Sequence, residues 1–522
     1  MSKKVFWLAL SGILLLALSL KMALLWADVV VLDADEAIVG LMARHILQGE
    51  RPVFFYGQAY MGSLDAWLVA GLFALFGPSV WAIRAVQSAL FLAHVALTGV
   101  LVYRWSDDAK TALLSALLMA VPPLVLTLYT TVSLGGYGET LLFGDLALLA
   151  GGKLARGDGS DLKKWVVLGL LAGLGFWTLG LIAVYLVPIG VWLLWRHRLR
   201  AWRGYLAALA AFVIGSGAWW VYNFQHGWQA ALALYNPADA VDPMAPVLPV
   251  QARILGLLLI GLPGLLGARL PWSIEWVSIW AAPVVIAFYA AVGLFALGQA
   301  RRNAWRGVYR FLWGMVSAFA ALFVFSRFGS DPTGRYFVPM YVPLVVFTAS
   351  ALVALGRRSR PAAIALVALL LAFNLWGTWR GANSAAKLTT QYNPQLQYGN
   401  EYDDALISFL KEHGGARGYT HYWIAFKVAF LSGEEVILGA HLPNKASGNV
   451  NKGDNRYRPY VDLVAAAGRV VYVTGRQPEL DALLRSGFER RGVAYREREI
   501  GPYRVFYDLS ARIEPHEIDA RW

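Results

Sequence analysis

The 522-residue chain has no cysteine, which removes disulfides, thiolate metal sites and thiol nucleophiles together. Charge is scarce too, at 15% of residues, and acids are the scarcer sign, with 33 Asp and Glu against 46 Lys and Arg. A soluble globule carries about 25% charged residues, so a chain that is 58% hydrophobic with a mean hydropathy of +0.50 is of another class. It also lacks a clear internal repeat and any low-complexity tract. The composition is that of a polytopic membrane protein. The net charge of +13 does not point to nucleic acid, because most basic residues fall in short loops between apolar runs, the pattern that orients a chain in a bilayer.

A spanning helix needs about 20 apolar residues. Eleven spans are expected near 5–26, 80–103, 111–129, 137–152, 165–178, 180–195, 204–222, 275–297, 310–326, 336–355 and 361–379. The first follows Lys3 and Lys4, contains Lys21 and precedes many others, so it reads as a span rather than a cleaved signal. The loops 104–110, 153–164, 196–203, 301–310 and 357–360 hold most of the positive charge and are expected to be cytoplasmic, with the amino terminus. The Asp33 loop, residues 130–139, 223–252 and 327–336, and the carboxy terminus then face outward.

Two segments resist this count. Residues 254–270 are apolar enough to cross, but a crossing would carry Arg301 and Arg302 outside, so a Gly/Pro-broken helix at the outer face is expected. Residues 165–195 barely hold two crossings at about 1.5 Å per residue, leaving a very short helix pair or one bent helix. From about residue 381 the runs shorten and charge rises. Strands near 418–423, 435–439, 469–474 and 503–509 and a helix over 478–491 predict a small α/β domain at 381–522, outside the membrane domain at 1–380.

With acids so few, three carboxylates in four residues stand out: Asp33, Asp35 and Glu36, where the first span ends. Residues 34–47 read as an amphipathic helix, and Asp33 or Asp35 at its start is favoured by capping and by the helix dipole. Capping accounts for one acid, not three. The aromatic stretch 54–65 follows, with Tyr56, Gln58 and Tyr60 as pocket candidates and Asp65 as a further acid, then a second interfacial helix over 63–76. Two acidic clusters on one outward loop, 33–78, suit a base that takes a proton from a hydroxyl or amine while other groups hold a leaving group. They equally suit a divalent metal held through oxygen, or plain solvated acids and caps.

Glu139, with Tyr137 beside it, opens an apolar helix where an acid is costly unless it lines a cavity; the bland alternative is an acid stabilised by the dipole. His94 and Asp145 lie within spans and are expected to pair there. Arg335 and Tyr336, and more weakly Arg327, stand just before a span, where Arg and Tyr also serve as interfacial anchors.

The run from Asp33 through Leu47, with Tyr56-Gly57-Gln58-Ala59-Tyr60-Met61-Gly62-Ser63-Leu64, resembles the GT-C class of membrane glycosyltransferases. The likeness is to bacterial relatives of protein O-mannosyltransferases and lipid A aminoarabinose transferases. Asp35-Glu36 matches the acidic motif that follows the first transmembrane helix in that class, Asp65 stands where a second loop acid is expected, and Arg335-Tyr336 resembles the Arg-Tyr element of its last outer loop. The resemblance implies an enzyme of the cell inner (plasma) membrane that transfers a sugar from a polyprenyl-phosphate donor to an extracytoplasmic glycan, lipid or protein acceptor. It implies inversion, with Asp35, Glu36 and Asp65 as the catalytic acids and Asp35 as base. Arg335, Tyr336 and Arg327 would hold the donor phosphate, and Asp33, Tyr56, Gln58, Tyr60, Tyr137 and Glu139 would line the pocket. No cofactor is called for, although three nearby acids permit a divalent metal. A secondary transporter, which would show inverted repeats with broken helices in matching halves, and a non-catalytic scaffold with an outward binding domain are the alternatives.

The short fifth and sixth spans and the broken 254–270 segment leave room for a polyprenyl chain, although Gly-rich helices also pack closely for structural reasons alone. In the carboxy-terminal region, Tyr419, His421, Tyr422 and Trp423 read as strand residues, in the core or stacked on an acceptor sugar. Residues 441–460 read as a long loop that either covers the membrane-side cavity or touches anionic head groups.

Overall fold

The apolar run behind Lys3 becomes helix α1 (Lys3–Trp26), capped where the Ser2 hydroxyl accepts from Val5 N–H. The computed structural model describes residues 1–235, 248–302, 306–331, 333–444 and 448–522. After α1 come α2 (Ala34–Leu47), the antiparallel strands β1 (Phe54–Phe55) and β2 (Gln58–Gly62), and α3 (Leu64–Phe76). Both loop helices match the sequence expectation. The hairpin between them was not anticipated, and its turn uses Gly57 at φ 71°, a left-handed conformation that favours glycine.

Helix α4 (Val80–Ser106) ends at Asp107 in the left-handed region, and Asp108 caps α5 (Ala109–Ala120). The expected span 111–129 is broken, because Pro122 and Pro123 cannot supply ladder donors; the chain resumes as α6 (Leu124–Tyr129). There follow α7 (Tyr137–Arg156), α8 (Leu162–Thr178), α9 (Ala183–His197) and α10 (Trp202–Gly215). The helices Ala281–Arg302, Arg306–Phe325, Tyr341–Gly356 and Arg360–Ala382 complete the helical region.

Among the described residues seven helical segments are long and apolar enough to cross a membrane: Lys3–Trp26, Val80–Ser106, Gly180–Gly215, Ala281–Arg301, Gly307–Phe325, Arg335–Gly356 and Arg360–Ala382. The expected eleven exceed this for identifiable reasons. Residues 111–129 are proline-broken, α7 carries Glu139, Asp145 and Lys153, and α8 has only 17 residues. The stretch 180–215, expected as parts of two spans, counts as one although it bends at Arg198 (φ 49°). The ambiguous 165–195 region is a helix pair, α8 and α9, joined through an extended Leu179. The segment expected as a broken helix at 254–270 is one: a turn of helix at Val250–Gly256, a π-helical stretch at Leu257–Gly261 and a last turn at Leu262–Leu265. Parts of the expected loops 223–252 and 301–310 (236–247 and 303–305) lie outside the described residues.

The carboxy-terminal portion is α/β, with a five-stranded sheet in the order β4-β3-β5-β7-β6. Strands β3 (Arg417–Thr420), β4 (Ile437–Ala440) and β5 (Val471–Gly475) are parallel, while β7 (Tyr503–Tyr507) runs antiparallel to β5 and to β6 (Arg496–Ile500). The first strand is shorter than expected, because Tyr422 and Trp423 begin a helix, Tyr422–Leu431, that packs on α2. This portion is stitched to the chain after α1: Val31 N–H donates to the Leu388 carbonyl, Leu388 N–H to the Val29 carbonyl, both at 2.9 Å. The Asn400 amide accepts from Leu32 N–H at 3.1 Å and donates to the Val30 carbonyl at 3.3 Å.

Helices α8 and α10 approach to backbone contact. A Cβ on Gly173 would lie 2.2 Å from the Phe212 carbonyl oxygen, and one on Gly169 would lie 2.1 Å from that of Ala208. Gly173→Val should therefore destabilise the protein by about 1–3 kcal/mol through overpacking. Gly190→Val on α9, where a Cβ meets nothing within 4 Å, should leave the unfolding temperature in detergent nearly unchanged. Equal losses in the two variants would contradict this packing.

Candidate active site

The three acids at the start of α2 point to three different partners. Asp33 is the N-cap: its carboxylate accepts from Glu36 N–H at 2.9 Å and from the Thr390 hydroxyl. Burial, reinforced by adjacent Asp35, outweighs those hydrogen bonds and pushes the Asp33 carboxyl up to about 7. Glu36 is fully buried and takes Arg84 Nε at 3.0 Å and Nη2 at 2.7 Å, while Arg84 Nη1 donates to the Val30 carbonyl at 3.2 Å. Asp35 alone reaches the open side, where it accepts from the Tyr422 hydroxyl. Glu36, expected among the catalytic acids, is occupied as a bidentate partner that anchors α2 to α4. Among the described residues no three His, Asp or Glu side chains converge as a set for a metal ion.

Asp35 lines a cavity of about 490 Å³ whose wall also includes Tyr129, Ser330, Asp331, Thr333, Arg335, Thr390, Gln391 and Trp423. Two candidates taken from distant parts of the sequence, Asp35 and Arg335, thus share one space. Arg335 pairs with Asp331 and lies over the Tyr336 ring, 5.1 Å from its centroid; Tyr336 is buried beside Tyr137, with ring centroids 6.4 Å apart. Arg327 begins a 3-10 turn, Arg327–Ser330, and its side chain lies outside the described residues, as does Pro332.

Tyr60 and Tyr336 line an apolar cavity of about 200 Å³ walled also by Leu179, Leu181, Val184, Phe319, Leu322, Phe323 and Phe328. Burial pushes the Tyr60 hydroxyl above its ordinary range, and its charged neighbours include Arg335, Arg456 and Asp35. Among the described residues none lines both cavities, but Arg335 on the wall of the polar chamber lies over the ring of Tyr336 on the wall of the apolar slot. A second apolar cavity, about 480 Å³, contains Lys21, but that ammonium spends its three protons on the Thr127 carbonyl and the Thr130 and Thr131 hydroxyls, at 3.0, 2.8 and 2.6 Å.

The remaining candidates have other roles. Asp65 accepts from Gln87 at 3.0 Å and from the Ser133 hydroxyl, and it meets Glu139, whose two buried oxygens find no donor. Two carboxyls in contact share a proton, and burial raises Asp65 accordingly. The two acidic clusters of the loop do not come together: Asp65 belongs with α4 and α7, and Asp35 with the carboxy-terminal portion. Tyr56 donates to Glu50 at 2.6 Å and bonds His45 at 3.0 Å, away from the Asp35 cavity. His94 and Asp145 pair at 2.6 Å, as expected.

Sequence reasoning missed Arg84, Thr390, Gln391 and Arg456. The first lies 48 residues from Glu36 in a span, where its charge carried no motif. The others come from the carboxy-terminal region, where the covering role of 441–460 and the stacking role offered for Tyr422 and Trp423 were the hints of contact with the site; residues 445–447 lie outside the described residues.

Comparison with known proteins joins this geometry to a fold. ArnT from Cupriavidus metallidurans, in a crystal structure bound to undecaprenyl phosphate, superposes with a TM-score of 0.59 at 13% identity, over 97% of this chain and 100% of that one. The fold is GT-C. An oligosaccharyltransferase from Archaeoglobus fulgidus, crystallised with Zn and sulfate, superposes with a TM-score of 0.51 at 14% identity, over 96% of this chain and 73% of that one. Residues 63–220 match the family model for dolichyl-phosphate-mannose-protein mannosyltransferase. An undecaprenyl phosphate-alpha-4-amino-4-deoxy-L-arabinose arabinosyl transferase from Pseudomonas aeruginosa is 32% identical over 164 residues. That match spans 28% of this chain and 28% of the relative's length. The chain is thus a multi-pass membrane protein with the fold of the ArnT structure, and part of its sequence resembles the ArnT and protein mannosyltransferase families.

Two outcomes follow from the acid environments. Arg84→Met leaves Glu36 buried and unpaired and should cost about 3–5 kcal/mol, much of it recovered in the Glu36→Gln/Arg84→Met double variant. Asp33 holds its proton more tightly folded than unfolded, so its contribution to stability is present below pH 4 and is lost as pH rises towards 7. Asp33→Asn keeps the cap and should show a smaller fall in unfolding temperature from pH 5 to pH 8 than the parent; an equal fall would contradict the shift.

Proposed function

We propose that this protein is an integral-membrane glycosyltransferase that moves a sugar from a polyprenyl-phosphate donor to an extracytoplasmic glycan, lipid or protein acceptor, with inversion. The observation that carries the reading is the shared cavity: Asp35 and Arg335 face one chamber, and Arg335 lies over Tyr336, which with Tyr60 lines a neighbouring apolar slot. The slot suits an isoprenoid chain, the arginine a phosphate, and the chamber a sugar with its acceptor. The match to the mannosyltransferase family model and the likeness to a structure holding undecaprenyl phosphate support the same donor class.

Asp35 is the base. It takes the proton from an acceptor hydroxyl or amine as that atom forms a bond to the anomeric carbon, opposite the phosphate. The anomeric carbon–oxygen bond breaks, the electron pair leaves with the lipid phosphate, and the phosphate gains a negative charge. Arg335, close to Tyr336 and Tyr60, offsets that charge where it develops. The reading draws its positive charge from arginine rather than from a resident divalent metal. The hydroxyl of Tyr422 orients the Asp35 carboxylate.

The basic loops support an orientation in the inner membrane in which the amino terminus is cytoplasmic and the first loop, Arg335 and the α/β portion lie outside. Glu36 and Asp65 serve as supports: the first fixes α2, the second ties α3 to α4 and α7.

Asp35→Asn preserves shape and removes the base. With a polyprenyl-phosphate sugar as donor it should lower transfer at least about 100-fold while donor binding persists; undiminished transfer would remove Asp35 from the mechanism.

A further inference from the structure

The carboxy-terminal portion sends one cation into this site. Arg456 is carried by a short stretch pinned on both sides: the Asn455 side chain accepts from Ala440 N–H at 3.1 Å. Tyr457 stacks on Tyr56 and His45, with ring centroids 4.8 and 4.5 Å apart, and donates to Glu50. Tyr460 donates to Glu434 at 2.7 Å, and hydrogen bonds from His45, Tyr460 and Arg44 outweigh burial and hold that carboxylate at about 2.

Between these anchors the Arg456 guanidinium lies 5.0 Å from the centroid of the Tyr422 ring. The Gln58 amide oxygen, turned towards it, accepts from both terminal nitrogens at 2.7 and 3.0 Å, and the Tyr56 carbonyl accepts at 3.4 Å. The hairpin turn is shaped around this side chain, since a Cβ on Gly57 would lie 2.4 Å from Arg456 Cδ.

Every one of these acceptors is neutral. Among the described residues no carboxylate forms an ion pair with Arg456, and its Nε is shielded without a partner. A partly buried arginine that makes no ion pair keeps its charge available to an anion that arrives. The groups that face it are Tyr422, Asp35, Tyr60 and Asp454, and Tyr60 faces Arg335 as well. Both arginines therefore act on the hydroxyl of Tyr60, a wall residue of the apolar slot.

A charge count shows what Arg456 supplies. Arg335 is neutralised by Asp331, and Asp35 adds one negative charge, so even with Asp33 left out the chamber would be net negative and would repel a phosphate. Arg456, which faces Asp35 and Asp454, offsets part of that excess. The lipid phosphate is a monoanion in the donor and moves towards a dianion as the glycosyl bond breaks, so a cation beside it gains strength along the reaction.

We propose that Arg456 is the second phosphate-binding arginine of the site, gripping the lipid phosphate across Tyr60 from Arg335, so that the site is complete only when the carboxy-terminal stretch around it is seated on the 54–62 hairpin. This rests on the donor reading above. The carboxy-terminal portion is then part of the active site rather than an appendage to it.

The test uses the full chain in detergent, with undecaprenyl phosphate and undecaprenol as probes whose affinities differ by the phosphate alone. Arg456→Gln should weaken undecaprenyl phosphate binding about tenfold or more and leave undecaprenol binding unchanged, while Arg456→Lys keeps most of the affinity. Adding Asp331→Asn to Arg456→Gln frees the charge of Arg335 and should restore much of the loss, which a merely structural role for Arg456 would not allow. Wild-type affinity in Arg456→Gln, or an equal loss for both lipids, overturns the proposal. A parent protein that does not prefer undecaprenyl phosphate over undecaprenol overturns the donor reading itself, and the role of Arg456 with it.

Discussion

The buried pair between Glu36 and Arg84 sets the geometry on which the site depends. It clamps the first turn of α2 to the amino-terminal end of α4, and through Arg84 Nη1 it also holds the chain at Val30. Consecutive helical side chains diverge by about 100°. Fixing Glu36 inward therefore turns its neighbour Asp35 towards the cavity, and the Asp33 cap fixes where the helix begins. A charge pair of this kind contributes little net stability over an apolar core, but breaking it leaves a buried carboxylate unpaired. Its value lies in orientation.

A second constraint is charge balance in a low-dielectric chamber. Asp331 holds Arg335 in place at the cost of neutralising it, and Asp35 must stay available as a base. In the proposed reaction phosphate recognition then needs a further cation, and among the described side chains Arg84 is spent on Glu36, Lys21 on three threonine oxygens and Arg269 on the Ser273 carbonyl. The carboxy-terminal portion supplies it. The same portion supplies Thr390 and Tyr422, the partners of Asp33 and Asp35, so the two parts of the chain build one site.

Local patterns gave a good part of this. Helices α2 and α3, the Asp33 cap, the broken 250–265 segment, the Pro478–Arg490 helix and the α/β nature of the carboxy-terminal region all follow from periodicity, capping and breakers. Asp35 and Arg335 were drawn from a resemblance, and they do face one cavity. What failed was long-range. Nothing near Glu36 or Asp65 announces Arg84 or Glu139, since a buried charge reveals its partner only after helices pack. Strand β6 was hidden because its Arg-Glu-Arg-Glu run reads as solvated surface, which suits an edge strand. Tyr422 and Trp423 were read as strand residues because aromatic, β-prone side chains continue directly from β3 into the helix.

The most direct measurement is a density map of the full protein with undecaprenyl phosphate bound. The phosphate should sit between the two cavities, beside Tyr60 and Arg335, with the isoprenoid chain in the slot lined by Phe319 and Phe323 and the chamber of Asp35 open to a sugar. A phosphate bound instead beside Lys21, in the cavity between α1 and the Arg360–Ala382 helix, would contradict the site proposed for this chain.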